Sequence, residues 1–140
     1  MVKSGDDYRN FGILILRVGI GFMFFIHGYP KLLGGTETWN QLGMAMANLG
    51  VTFFPEFWGF LAAISESLGG VLIVFGFLTR PTAAFLSFTM LVAAVFHLNK
   101  GDGLIGASHA IESCFVFVSL IFIGSGRYGF DAKMFCCKKS

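Results

Sequence analysis

Charged side chains are scarce in this sequence, since lysine, arginine, aspartate and glutamate together make up only 13% of its 140 residues. The net charge of +2 is small, and no clustered basic face is present of the kind that nucleic-acid binding requires. With 55% hydrophobic residues and 18 phenylalanines, the chain is too apolar for a soluble domain of this size. The composition therefore predicts an integral membrane protein in contact with lipid, without a nucleic-acid partner.

Cysteines and cleavable targeting signals are also sparse. Cys114, Cys136 and Cys137 are the three cysteines, and they form neither a disulfide framework nor a CxxC redox pair. We expect free thiols on a reducing side, with a redox role as the alternative. The first ten residues are polar and no small-residue cleavage site follows the first apolar segment, so membrane insertion is expected to begin with the first span itself.

Four apolar segments are long enough to cross a bilayer, because ~20 such residues span ~30 Å of hydrocarbon. One compact membrane domain is expected to occupy residues 1–140. The predicted spans cover about residues 11–29, 57–78, 81–98 and 108–124.

The segment between the first two spans differs in character. Trp39, Leu42, Met46 and Leu49 recur at helical spacing, but the stretch is too short and too mixed to span. It predicts an amphipathic helix over residues 38–49 that lies at the membrane interface or folds over the bundle as a lid. The fold class is therefore all-α, an integral membrane four-helix bundle with a short interfacial helix between helices 1 and 2.

Basic residues are distributed unequally between the two sides of the predicted bundle. The opposite side carries only Lys31 and Lys100, so the positive-inside rule places both termini in the cytoplasm. The tail, residues 125–140, is then cytoplasmic and is expected to lie on the membrane surface. The basic residues on the side of the termini are Lys3, Arg9, Arg80, Arg127, Lys133, Lys138 and Lys139.

Two charged residues lie deep in the predicted spans, where an ionisable group needs a partner and indicates a functional site by default. Counted from the cytoplasmic ends of their helices, Arg17 lies ~10 Å in and Glu66 ~17 Å in. An arginine side chain can bridge such a step, so the sequence predicts an Arg17–Glu66 pair. The pair is either a structural link that fixes helix register or part of a functional site.

Five further polar side chains collect toward the outer ends of the spans, and they are His27, Lys31, His97, His109 and Glu112. Spacings of three and four residues place His27 with Lys31 and His109 with Glu112 on shared helix faces. If those faces point inward, they line a pocket that could move protons, bind a polar head group or hold a metal. The alternative is that the histidines are wetted residues near helix ends. A metal is not predicted, because the repeated Glu and Glu-x-x-His pattern of a dimetal bundle is absent.

The ordered set of polar and glycine motifs over about residues 11–131 resembles the DoxX family of small four-helix membrane proteins. The matching motifs are Leu16-Arg17 with Gly19 and Gly21, His27-Gly28-x-x-Lys31-Leu32, Glu66-x-x-Gly69-Gly70, Gly76-Phe77-x-Thr79-Arg80, Ala93-x-x-Phe96-His97, Glu112, and Gly124-x-Gly126-Arg127-Tyr128-x-x-Asp131.

The resemblance implies a bacterial-type inner membrane protein that works beside other membrane subunits. The family includes the small subunit associated with thiosulfate:quinone oxidoreduction, and its members are widely described as membrane oxidoreductase components. Because this chain lacks paired redox cysteines, a thiol–disulfide mechanism is not expected.

The functional hypothesis is a subunit of a quinone-linked redox complex, at most accessory to the enzyme, with no covalently bound cofactor of its own. Its pocket would be lined by Arg17, His27, Glu66 and Glu112, with the two carboxylates as proton relays. Lys31, His97 and His109 complete the candidate ligand-binding residues. A non-catalytic structural or assembly subunit is the alternative, and a small-solute carrier is disfavoured because no inverted repeat is visible.

Overall fold

The computed structural model describes residues 3–136, and over this range the chain forms helices and turns without a strand. Four helices are long and apolar enough to cross a membrane, and a short helical segment lies between the first two. The predicted fold class is therefore confirmed. The elements are α1 (Lys3–Leu33), α2 (Gly35–Gly43), a 3₁₀ helix (Met44–Leu49), α3 (Pro55–Phe75), α4 (Thr79–Lys100), α5 (Gly103–Ile123) and α6 (Phe130–Cys136).

The first helix is longer at both ends than the predicted span of 11–29. Its polar start is helical because Asp6 lies in the first turn, where a negative charge is favourable, and pairs with Arg9 at 3.3 Å. At the other end, Pro30 lies inside α1. A proline removes one backbone hydrogen bond, and so close to the helix end the loss does not stop the helix.

The two turns that join α3, α4 and α5 differ from the prediction. The first turn covers residues 76–78 instead of 79–80, with Gly76 and Leu78 in the left-handed region, so Thr79 begins α4 and Pro81 lies in its first turn. Proline is favourable in a first helical turn because its missing N–H has no intrahelical partner there. The second turn contains only residues 101 and 102, since α5 begins at Gly103 rather than at 108.

The segment between α1 and α3 is an α-helix followed by a 3₁₀ helix, and it covers residues 35–49 instead of 38–49. It packs directly on the start of α3, because a Cβ on Gly43 would lie 1.6 Å from the Pro55 carbonyl oxygen. The 3₁₀ helix also contacts α4. This segment, Gly35–Leu49, therefore packs against both α3 and α4.

Close approach between α1 and α3 depends on glycines. A Cβ on Gly21 would lie 2.6 Å from the Gly70 carbonyl oxygen, and a Cβ on Gly28 would lie 2.3 Å from the Ser67 backbone nitrogen. Small residues of this kind allow membrane helices to pack backbone to backbone. The two antiparallel helices are thus held in a register that sets Lys31 beside Glu66.

As far as it is described, the C-terminal segment folds back onto the end of the bundle where α1 begins. The Arg127 N–H donates to the Asn10 side chain, and the Arg127 guanidinium lies 3.4 Å from Asp7. Both Asp131 carboxylate oxygens accept backbone N–H groups, from Leu78 and Thr79, at the start of α4. The two terminal segments therefore meet at one end of the bundle. The predictions for Cys137, Lys138 and Lys139 lie outside the described residues.

Candidate functional site

Glu66 forms an ion pair with Lys31. The Lys31 Nζ lies 2.6 Å from Glu66 Oε2, and the Glu66 side chain is 6% exposed whereas that of Lys31 is 36% exposed. The predicted Arg17–Glu66 pair is wrong. Depth counted from helix ends does not fix the register of two helices, and here Gly28 lies opposite Ser67 while Arg17 lies near Ile73 and Gly76. Arg17 therefore lies beside residues that follow Glu66 by seven and ten positions, or ~10–15 Å along the direction of α3.

Arg17 occupies a separate buried position at the other end of the bundle. Its side chain is fully buried, and its Nη1 donates to the Ile73 carbonyl at 3.4 Å. A Cβ on Gly76 would lie 1.8 Å from that Nη1, so only glycine fits beside the guanidinium. The Gly76 carbonyl accepts the Asp131 backbone N–H at 3.0 Å, so the C-terminal segment packs against the same end of α3. These contacts join α1, α3 and the C-terminal segment, and they do not reach the histidines.

Five of the seven predicted site residues line one cavity of about 180 Å³. Arg17 and Glu112 do not line it, so the pocket predicted from those two residues is wrong in that respect. Glu112 is exposed on α5, although it lies one turn from His109. We call this space the polar cavity, and its lining residues are Phe24, His27, Lys31, Glu66, Met90, Ala93, His97, Gly106, His109 and Ala110.

Each histidine of the polar cavity has its Nδ1 engaged. His27 Nδ1 donates to the Met23 carbonyl at 2.7 Å, and His97 Nδ1 lies 2.7 Å from Asp102 Oδ2. His109 Nδ1 lies 3.3 Å from the Ser113 hydroxyl, and the rings of His27 and His109 are 5.8 Å apart. A neutral imidazole with Nδ1–H engaged as a donor presents Nε2 as an acceptor. The cavity therefore offers imidazole nitrogens next to an ion pair.

A second cavity of about 280 Å³ lies beneath the Gly35–Leu49 segment, between α3 and α4. It shares Lys31, Glu66, Ala93 and His97 with the polar cavity. We call it the apolar cavity because most of its lining is aliphatic or aromatic. Its remaining lining residues are Gln41, Leu42, Ala45, Met46, Trp58, Leu61, Ala62, Ser65, Phe85, Phe88, Thr89, Val92 and Phe96.

Asp102 is a site residue that sequence reasoning missed. It lies in the turn after α4, and its contact with His97 lowers the pKa of its carboxyl below the ordinary value of 3.8, with a smaller contribution from the Lys100 charge. The signal in the sequence is Gly101, because a glycine that ends a helix brings the second residue after the helix back over its last turn. His97 and Asp102 have that spacing.

Within residues 3–136 no group of three or more histidine, cysteine, aspartate or glutamate side chains is arranged to hold a metal ion. The polar groups that line the polar cavity are a lysine, a buried carboxylate and three imidazoles. Such groups can bind a polar molecule by hydrogen bonds and exchange protons with it.

The fold and its cavities define a small helical membrane protein with four membrane-length helices and a paired polar and apolar site near one end. The sequence model of the DoxX family matches residues 12–98, and the chain belongs to that family.

Similar proteins cover almost the whole chain. The Escherichia coli inner membrane protein YqjF is 33% identical over 127 residues, which is 88% of this chain and 92% of the relative. The Escherichia coli inner membrane protein YphA is 35% identical, covering 90% and 96%. A Bacillus subtilis protein named "Putative oxidoreductase CatD" is 30% identical, covering 92% and 91%. No solved structure matches the chain.

Proposed function

We propose that this chain is a bacterial inner membrane subunit that binds a quinone and serves a quinone-linked redox complex. The observation that carries the proposal is the position of the Lys31–Glu66 pair, which borders a polar cavity on one side and an apolar cavity on the other. A quinone has the same division, since its head carries two carbonyl acceptors and its tail is hydrocarbon. The names of the inner membrane and oxidoreductase relatives support the same class of function.

The polar cavity suits the head group. Lys31 Nζ is a donor to a carbonyl oxygen, and Glu66 and His97 are placed to exchange protons with a reduced head group. Lys31 and His97 thus take the places that the sequence predicts for Arg17 and Glu112, and Glu66 keeps its place. The combined volume of the two cavities falls within the range of ~300–1,000 Å³ that is typical of ligand pockets.

The apolar cavity suits the tail. Phe85, Phe88 and Phe96 of α4 face Trp58 and Leu61 of α3 across it. Burial of isoprenoid carbons there would contribute about 25 cal/mol per Å². Electrons would be exchanged between the quinone and a flavin- or haem-bearing partner protein, so the chain acts beside other subunits.

Binding of a short-chain quinone analogue to the full chain in lipid nanodiscs tests the proposal by calorimetry. Glu66→Gln should weaken binding at least about tenfold, because a hydrogen bond to a charged group contributes about 1.5–3 kcal/mol. Glu112→Gln is the matched control, since it removes a carboxylate outside both cavities and should leave the affinity unchanged. Absence of binding by the unmodified chain, or equal affinity of the two variants, refutes the proposal.

A structural or assembly subunit is the second candidate, and an open face on α1 favours it. A Cβ on Gly5, Gly12 or Gly19 would meet nothing within 4 Å, and these glycines recur every seven residues. Such a face admits a helix from another protein. Under this alternative, Gly12→Leu with Gly19→Leu lowers the amount of co-purified partner, and Glu66→Gln does not change it.

A further inference from the structure

We propose that Asp102 is a positioning residue that fixes the Nδ1–H tautomer of His97, so that His97 Nε2 exchanges protons with the ligand bound between the two cavities. This inference rests on the proposed function for the identity of the ligand. The positioning itself follows from the geometry of the turn between α4 and α5.

Two backbone hydrogen bonds close the turn between α4 and α5. The Asp102 backbone N–H donates to the His97 carbonyl at 3.1 Å, and the Gly101 N–H donates to the Leu98 carbonyl at 3.3 Å. This pair of bonds is a Schellman motif, which requires a residue in the left-handed region, and Gly101 has φ +92°. The motif carries the Asp102 side chain back over the last turn of α4, where its Oδ2 lies 2.7 Å from His97 Nδ1.

Gly106 provides the space for this contact. A Cβ on Gly106 would lie 2.5 Å from the Asp102 Cβ, so any other residue there would displace the aspartate side chain. Gly106 also lines the polar cavity. Its missing side chain therefore serves both the His97–Asp102 contact and the volume of the cavity.

The contact determines which nitrogen faces a ligand. An ionised carboxylate only accepts hydrogen bonds, so the neutral imidazole must hold its proton on Nδ1 and leave Nε2 as the acceptor. His97 lines both cavities. Its Nε2 is therefore an acceptor on the ring at the junction of the proposed head and tail sites. The arrangement corresponds to the orienting carboxylate of a general-base histidine.

His97 Nε2 accepts a proton when a quinol is oxidised at this site. When a quinol is oxidised, a hydroxyl O–H bond breaks, a bond from Nε2 to hydrogen forms, and the O–H electron pair stays on the quinol oxygen. Two electrons pass to the flavin or haem of the partner protein. The imidazolium loses its Nε2 proton to water, and a second cycle removes the other hydroxyl proton. Asp102 remains ionised throughout.

Other charged and titratable groups surround this route. Lys31 and Glu66 face His97 across both cavities, and His27 and His109 lie across the polar cavity. Lys100 lies 3.9 Å from Asp102 Oδ2 and helps to keep that carboxyl ionised. Both ring and carboxylate are about one-third exposed, with relative exposures of 38% and 33%, so water reaches the pair.

The test is the tautomer of His97 in the full chain, labelled with ¹⁵N-histidine and held in lipid nanodiscs at pH 8. Long-range ¹H–¹⁵N NMR distinguishes a protonated from an unprotonated ring nitrogen, and His97→Asn identifies the His97 signals. The unmodified chain should show predominantly the Nδ1–H form. Asp102→Ala should convert it to a mixture of both tautomers, and Gly106→Ala should do the same without removing a charge.

Asp7→Ala is the matched control, because it removes an exposed carboxylate from another surface ion pair and should leave the His97 tautomer unchanged. A tautomer that is unaltered in both Asp102→Ala and Gly106→Ala, in folded protein, overturns the positioning role. Failure of the unmodified chain to bind any quinone analogue refutes the proposed function instead, and the tautomer comparison still decides the role of Asp102.

Discussion

Removal of Lys31 should leave Glu66 as an uncompensated buried charge. Breaking a fully buried ion pair from one side costs about 3–5 kcal/mol, whereas an exposed pair contributes about 0–1 kcal/mol. Glu66 is 6% exposed and Lys31 is 36% exposed, so the pair belongs between these limits. We expect Lys31→Met to lower the free energy of unfolding by about 2–3 kcal/mol.

The opposite deletion should cost less. In Glu66→Gln the lysine ammonium can extend toward the headgroups along its flexible side chain, so we expect a loss of about 1–2 kcal/mol. The double variant Lys31→Met with Glu66→Gln contains no buried charge at this site. It should be about as stable as Glu66→Gln alone, which gives a coupling energy of about 2–3 kcal/mol.

Reversible unfolding in mixed micelles measures all four stabilities. Asp7 and Arg127 provide the control cycle, because their side chains are 52% and 74% exposed and lie 3.4 Å apart. That cycle, with Asp7→Asn and Arg127→Met, should give a coupling below about 0.5 kcal/mol. Coupling of the buried pair no larger than that of the exposed pair would refute the reasoning that Lys31 neutralises Glu66.

Three other changes test the surrounding structure. Gly28→Ala should destabilise the protein by about 1–3 kcal/mol and weaken quinone-analogue binding, because its methyl group meets the α3 backbone. Gly12→Ala is the control, because its methyl group meets nothing within 4 Å. It should leave binding unchanged and be neutral or slightly stabilising in unfolding experiments. Asp131→Ala should cost about 1–2 kcal/mol in unfolding experiments through loss of the two backbone hydrogen bonds at the start of α4, and an unchanged stability would contradict the capping role. The pKa of the Asp102 carboxyl is lowered on folding, so this group stabilises the folded state above its ordinary pKa of 3.8 and loses that effect as the pH falls through the lowered value. The difference in thermal midpoint between the unmodified chain and Asp102→Asn should therefore be present at pH 6 and shrink below pH 3.8, and a difference independent of pH would contradict this linkage.

Hydropathy predicts the four membrane-length helices because each apolar run is close to the thickness of a bilayer. The helix ends are less predictable from glycine and proline, since the same residue types begin and end helices. The predicted span begins at Pro81, yet α4 begins at Thr79, and Pro30 lies within α1 although the predicted span ends at residue 29. Both prolines lie near a helix end, where the loss of one backbone N–H hydrogen bond costs little stability.

The convergence of five polar residues is largely predictable, whereas their pairing is not. His27 with Lys31, and His97 and His109 near helix ends, follow from helical spacing within single elements. The partner of Glu66 depends on how α1 slides along α3, and that register is set by backbone contacts at Gly21 and Gly28. Helix geometry alone does not contain this information, which is why a depth count selected Arg17.

The separation of Arg17 from Glu66 divides the buried charges of the bundle into two groups with different surroundings. Arg17 is fully buried at the end where the termini meet, and it lines neither the polar nor the apolar cavity. Glu66 is also buried, but its partner is partly exposed and both border open cavities. A charge that only joins helices has no need of an adjoining cavity, whereas a charge that meets a ligand does. Ligand-binding chemistry is therefore best sought at the Lys31–Glu66 end, and the contacts of Arg17 are best explained as holding α1 and the end of α3 together.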